Sequence, residues 1–341
     1  MLRRRRQSTG RLSNHAPMAI EALARHGHGE AVHRWLDGYA DRLEERPRGI
    51  ASIAADEWRD PLGDPVRTGD WLDYFDRELV AEPWQQVLSR WWPRLLPGIA
   101  AGATHGLIRV GHAVRALLDQ ETAPRVTELG QGLAYWAARW QPFAPPGAGP
   151  YLATDPRTAL DAVPRIPDQR FGIRSRRAHL ADLPGWPAVA GAVPRGEERV
   201  GNTAADEDDV PARLAGIVDA AVLRHSTHGY ANPVMLVHAA TAPNAVLRIL
   251  PAIHRALWAA SLAAAWAATA AVTAAYAPAT GRHALPTTPD VNPAEAMQHA
   301  VDSAGPHAIK FADAALDAHA ITSDTTLLAV SIHTTEQTGR W

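Results

Sequence analysis

The chain of 341 residues carries one lysine, Lys310, against 33 arginines. A buried lysine can shed its proton and offer a neutral amine, which arginine cannot do. His307 stands three residues before it, so on a helix the two side chains share a face. A solvated lysine is the plain alternative, and the remaining histidines weigh against it. Sixteen histidines are present. His105 and His112 lie seven apart, two turns along one helical face, with Arg109 close to that line and Arg115 one turn further. Gly106 and Gly111 interrupt the same stretch, each lowering helix propensity by about 1 kcal/mol, which is tolerable where a helix or ligand must approach closely. His238 breaks an apolar surface, and burying it requires a partner. His15 sits beside a predicted helix cap. His15, His105, His112, His238, His307 and Lys310 therefore form a candidate set of metal-binding nitrogens, with hydrogen-bonded core imidazoles as the other reading. Such a set suits iron, copper, zinc or nickel. Glu21, Glu128, Asp313 and Asp317 either orient imidazole protons or face solvent. His26, His28, His33, His179, His283 and His333 read as surface residues.

These residues come from distant segments, so a helical scaffold must gather them. Apolar spacing near 3.6 predicts a capped helix from Ser13-Asn14 to Val32, then helices over Trp35–Arg46, Trp71–Leu79, Trp84–Trp92 (stopped near Pro93), Ala101–Leu118 and Val126–Trp140. Helical pattern returns over Ala212–His225, Asn232–Leu250, Ala252–Ala277, Ala294–Ser303, Pro306–His319 and Thr325–Thr334. The expected fold class is all-α, a large single-body bundle. The expected domain organisation is a disordered basic terminus over 1–12, one helical domain over 13–336, and within it an irregular insert or lid over 142–211, where prolines and glycines crowd. Tyr135, Trp136 and Trp140 fall on one helix and, with Trp258 and Trp266, could wall a substrate cavity or simply pack the core.

Composition removes several functions. No cysteine is present, which excludes disulfides, thiolate metal sites and cysteine nucleophiles and agrees with a cytoplasmic setting. A net charge of −2 gives no general attraction to nucleic acid. The uncharged stretch Ala256–Gly281 is long enough to span a bilayer, but alanine supplies little transfer energy, so a buried central helix is expected and no stable membrane insertion. There is no GxGxxG after a strand, no Walker A motif, no HExxH and no GxSxG.

The stretches Asn14–Met18 (NHAPM), Ala101–Arg115 (AGATHGLIRVGHAVR), Gly132–Gln141 (GLAYWAARWQ), Val237–Thr241 (VHAAT) and His307–Leu316 (HAIKFADAAL) together resemble the questin oxidase-like family, over residues 14 to about 320. The proline-rich middle and the alanine-heavy Ala252–Ala277 segment depart from it. The resemblance implies an oxidoreductase, a non-haem metal-dependent monooxygenase or dioxygenase. Its chemistry would be Baeyer–Villiger-type oxidation or ring cleavage of an anthraquinone-like polycyclic aromatic from polyketide secondary metabolism. Some members look like iron enzymes whose metal is held by four histidines and a carboxylated lysine. Carried over, the lysine is Lys310 and the histidines come from His15, His105, His112, His238 and His307, one more than required. Iron and dioxygen are thus the implied cofactor and co-substrate, with Arg109 or Arg115 as stabilisers of oxyanion charge. Some family reactions use a nicotinamide cofactor, for which no fingerprint is visible here. A metal-dependent hydrolase or lyase, and a non-catalytic small-molecule binding protein, are the alternatives.

Overall fold

A computed structural model describes residues 14–43, 45–142, 155–169, 176, 179–180, 182–194, 209–283 and 291–338. The basic stretch 1–12 and much of the 142–211 insert lie outside the described residues. Among those described, the regular elements are helices: α1 (Ala16–Arg25), α2 (Gly29–Tyr39), α3 (Thr68–Ala81), α4 (Trp84–Leu95), α5 (His105–Asp119), α6 (Ala123–Arg139), α7 (Pro156–Asp161), α8 (Trp186–Gly191), α9 (Val210–His228), α10 (Pro233–Ile249), α11 (Trp258–Tyr276), α12 (Pro293–Ser303), α13 (Pro306–Thr322) and α14 (Thr326–Thr338). The all-α bundle expected from the sequence is the fold observed.

Local chemistry sets the helix ends. The Asn14 side chain accepts from the Ala16 N–H at 2.9 Å, and Pro17 fills the first turn of α1, where no N–H is needed. The single helix expected up to Val32 is in fact two. Gly27 takes φ +83°, a left-handed conformation that ends α1 and starts α2 after a sharp bend. A capping box between Asn292 and Glu295 starts α12. Pro93 does not stop α4, which runs on to Leu95. The proline lacks the N–H that would meet the Ser89 carbonyl, so one ladder bond is lost and the helix ends within the same turn.

Four helices concern the site. α1, α5, α10 and α13 pack in a closed cycle, each against the next. Their flanks are covered by neighbours in sequence, α6 on α5, α9 and α11 on α10, and α14 on α13. The stretches Pro233–Ala252 and Arg255–Tyr276 are long and apolar enough to cross a membrane, yet both are mostly buried among other helices. Polar side chains along them meet partners inside the bundle: Ser261 Oγ accepts from Trp92 Nε1 at 2.8 Å, and Thr269 Oγ1 donates to the Ala239 carbonyl at 3.0 Å. An all-round apolar helix in the centre of a bundle accounts for that pattern.

The two glycines of α5 let it be gripped from both sides. A Cβ at Gly106 would lie 2.6 Å from Trp136 Cβ on α6, and one at Gly111 would lie 2.8 Å from Ala245 Cβ on α10. Gly111→Ala is therefore expected to destabilise by about 1–3 kcal/mol through overpacking, despite its better helix propensity. Urea unfolding measures this, and a stabilised variant would show that α5 and α10 are not in such close contact.

Candidate metal centre

Three of the four helices begin at one point. His15 is the residue that caps α1, His105 is the first residue of α5, and His307 the second of α13. His238 joins them from the second turn of α10. The imidazoles close a ring, with centroid separations of 4.8 Å (His15–His105), 4.6 Å (His105–His238), 5.8 Å (His238–His307) and 4.7 Å (His307–His15). Ligand nitrogens of His15, His105 and His307 lie within 4.8 Å of one another. Lys310, one turn after His307, brings its Nζ to 3.1 Å from His15 Nδ1 and is 1% exposed.

The backbone that delivers His105 is unusual. Gly102, Ala103 and Thr104 have φ of +55°, +56° and +64°, a left-handed turn directly before α5. For the two non-glycine residues this conformation costs about 1–2 kcal/mol each. The turn places the Gly102 carbonyl 2.6 Å from His105 Nδ1 and Thr104 Oγ1 3.3 Å from His238 Nδ1. Thr104 donates its own proton to the Ala103 carbonyl at 2.6 Å, so it accepts from His238. Both rings thus carry their proton on Nδ1. Among the described residues their buried Nε2 atoms have no hydrogen-bond partner, and an orphaned imidazole lone pair is the donor that a metal cation takes.

Electrostatics keep the ring uncharged. Burial, then the charge of Lys310, pushes His105 down to about 3. His15, His238 and His307 lie well below the ordinary histidine value, burial being the main cause in each, with the neighbouring basic groups adding to it. Burial alone pushes Lys310 down to about 7. Three helix N-termini converge here, and their dipoles also oppose positive side chains. The donor set, neutral imidazoles and an amine able to deprotonate near neutrality, fits a metal cation and needs no thiolate.

His112, the fifth candidate histidine, is engaged elsewhere, two turns or about 10 Å further along the same helices. Its Nδ1 donates to Glu21 at 2.7 Å, and its Nε2 accepts from Arg248 Nη1 at 3.1 Å. Arg115 bridges Glu21 (2.6 Å), Asp313 (2.8 Å) and Asp317 (3.1 Å), while Arg248 holds Asp313 and Asp317, each at 2.6 Å. Asn244 adds a bond to Asp317 at 3.0 Å, and His26 one to Asp313 at 2.8 Å. Glu21, His112 and Asp313 lie close enough together to hold a metal, but their ligand atoms already have guanidinium or imidazole partners. Burial works against the Glu21 carboxylate, yet the His112 bond and the Arg115 charge hold it at about 2. Asp313 is fully buried and also stays well below the carboxylate range, burial being outweighed by Arg115 and Arg248. Asp313 and Glu21 are therefore not solvated, and His26 is not a free surface residue as its sequence context suggested.

The other candidates are placed as follows. Arg109 pairs with Glu128 at 2.7 Å and with Gln131 at 2.9 Å, and Arg115 is committed to the ion-pair cluster. Trp136, Trp140, Trp258 and Trp266 each donate the indole N–H to a backbone carbonyl, of Gly98, Leu95, Leu250 and Val189 respectively. They serve as core and inter-segment packing. Tyr135 lies against Gly102, where an added Cβ would sit 3.0 Å from its hydroxyl oxygen; of the five aromatics it touches the turn that carries His105. Sequence reasoning missed Thr104, Asn244 and Arg248. The two α10 residues carried a signal, polar side chains four apart in an otherwise apolar stretch.

Residues 12–124 match the questin oxidase-like family. The matched segment contributes His15, His105 and the left-handed turn, while His238, His307 and Lys310 lie beyond it. No curated protein matches the chain. The questin oxidase-like match and the imidazole ring together support a metal-associated oxidoreductase function.

Two variants separate the clusters. Asp313→Asn strips two buried guanidiniums of their shared carboxylate and should cost about 3–5 kcal/mol in chemical unfolding; a loss under 1 kcal/mol would refute the clamp. Lys310→Met should behave in the opposite way in metal-free protein. The folded chain holds Lys310 neutral down to about pH 7, whereas the unfolded lysine stays protonated up to its ordinary 10.5. Wild-type stability therefore rises with pH across that window. The methionine variant should match or exceed wild type at pH 7 and lack this rise. Equal pH slopes for both proteins would mean that Lys310 is not buried as a free base.

Proposed function

We propose that the chain is a non-haem metal-dependent oxygenase acting on a polycyclic aromatic ketone of the anthraquinone type, with the metal held by His15, His105, His238, His307 and Lys310. The observation that carries this reading is the closed ring of four neutral imidazoles, two with buried orphan Nε2 atoms, beside the chain's one lysine. Iron is the metal that the family likeness favours. Bound there, it would supply dioxygen activation and Lewis acidity toward a substrate carbonyl.

The residues themselves do the following. The Gly102 carbonyl and Thr104 fix the His105 and His238 tautomers so that Nε2 is the donor atom. Burial makes the Lys310 free base accessible near neutral pH. That amine can add carbon dioxide to give a carbamate and release one proton, bringing one oxygen donor and one negative charge to an otherwise neutral set. Arg109 and Arg115 hold structural carboxylates, so oxyanion stabilisation is not assigned to them. The apolar bundle around the ring excludes bulk water, which strengthens every polar contact inside.

Metal content and oxygen uptake test the proposal. Purified protein should carry about one iron per chain, and oxygen consumption should rise when hydroxyanthraquinones are added. His238→Ala and Lys310→Ala should each lose most of the metal and the activity. Stoichiometric metal without oxygen uptake would favour hydrolytic or lyase chemistry, and no metal at all a binding protein. Full metal and activity in Lys310→Ala would remove the lysine from the centre.

A further inference from the structure

A cleft of about 300 Å³ opens where α7, the last turns of α9 and residues 281–282 meet. None of its lining residues belongs to the imidazole ring or to the ion-pair cluster. Its apolar side is Leu160, Ala220 and Leu223, and among the described residues its polar side carries three guanidiniums, Arg157, Arg224 and Arg282, against one carboxylate, Asp161.

The polar side is built rather than loose. The Tyr230 hydroxyl donates to the Thr280 carbonyl at 2.9 Å, the Arg282 N–H donates to the Thr227 carbonyl at 2.8 Å, and the Arg282 guanidinium lies 3.9 Å from the Tyr230 ring centre. Gly281 presses on His228, since a Cβ there would come within 2.7 Å of the ring. Thr227 Oγ1 donates to the Arg224 carbonyl at 3.1 Å and so accepts from His228 Nδ1 at 2.7 Å. His228 Nε2 then accepts from Arg224 Nη2 at 3.2 Å. This fixes Arg224, whose side chain is 11% exposed.

Cations are in excess here. Arg157 is satisfied by Asp219 at 2.9 Å. Arg224 pairs with Asp161, but that carboxylate is 70% exposed, and an ion pair so open to water is weak and exchangeable. Among the described residues, the buried Nε–H of Arg224 has no acceptor, nor has that of Arg165, which does not line the cleft. Burial and the Arg224 charge push Arg165 below its ordinary value, and His228 is pushed down to about 4 by burial and by the same two guanidiniums. The cleft thus offers positive charge, with one ion pair open to exchange, beside an apolar wall.

We propose that this cleft is a second ligand site, taking a small aromatic carboxylate whose ring system lies on Leu160, Ala220 and Leu223 and whose anionic group is held by Arg224 and Arg282. Guanidinium and carboxylate match in planar, paired hydrogen bonds, and a volume of this size accepts a bicyclic ring.

Calorimetric titration of the full chain with 2-naphthoate, 2-naphthalenemethanol and acetate tests the proposal. Naphthoate should bind, and the neutral alcohol and acetate should each bind at least about tenfold more weakly. Arg224→Gln and Arg282→Gln should each weaken naphthoate about tenfold, the loss expected for one charge-assisted contact. Arg282 is exposed, so its variant tests the site even if Arg224→Gln perturbs folding. No naphthoate binding at millimolar concentration, equal binding of the neutral alcohol, or an affinity unchanged in both variants would each overturn the assignment. The titration needs no metal, so its outcome is independent of the oxygenase reading.

Discussion

The Asp313 carboxylate, buried and shared between Arg115 and Arg248, is the contact on which the rest of the site depends. Through it α13 is tied to α5 and α10, and Arg115 carries the tie on to α1 by way of Glu21. A slip of one turn in any of the four helices would leave a charge buried without its partner. Such clusters add little net stability compared with apolar packing, but they penalise wrong registers heavily. Here the register matters, because the same four helices carry His15, His105, His238 and His307 at their other end. The ion pairs fix where the imidazoles stand, without touching them.

The two ends differ in electrostatic character for a physical reason. The four helices run in the same direction, since partners meet both at the imidazole ring and two turns on, at the ion pairs. Positive helix ends therefore gather around the ring, where burial already disfavours charged imidazoles, and the charged residues lie further along the bundle. The strained turn at 102–104 is the backbone's share of this arrangement. It trades local strain for two hydrogen-bond acceptors that set the tautomers of His105 and His238.

Much of this was legible from the residues. Apolar spacing near 3.6 identified the helices, because each buries one stripe or, like α11, every side. The lone lysine and the seven-residue spacing of His105 and His112 drew attention to the right helices. Spacing could not separate those two histidines, however. They share a face, but one lies at the level of the ring and the other at the level of the ion pairs, and that difference is set by which helices cross where. The same limit hid the partners of Glu21 and Asp313, which are 65 to 287 residues away along the chain. The tryptophans were ambiguous because an indole is equally suited to a cavity wall and to bridging a backbone carbonyl in a core. Pro93 marks the end of α4 only to within two residues, because a helix can run slightly past a proline at the loss of one ladder bond.

The imidazole ring and Lys310 are expected to bind a single cation. X-ray absorption at the iron edge of the iron-loaded protein addresses it most directly. A shell of nitrogen and oxygen scatterers with the outer features of several imidazoles is expected, and those features should be lost in His238→Ala. A spectrum of hydrated iron without imidazole scattering would contradict it.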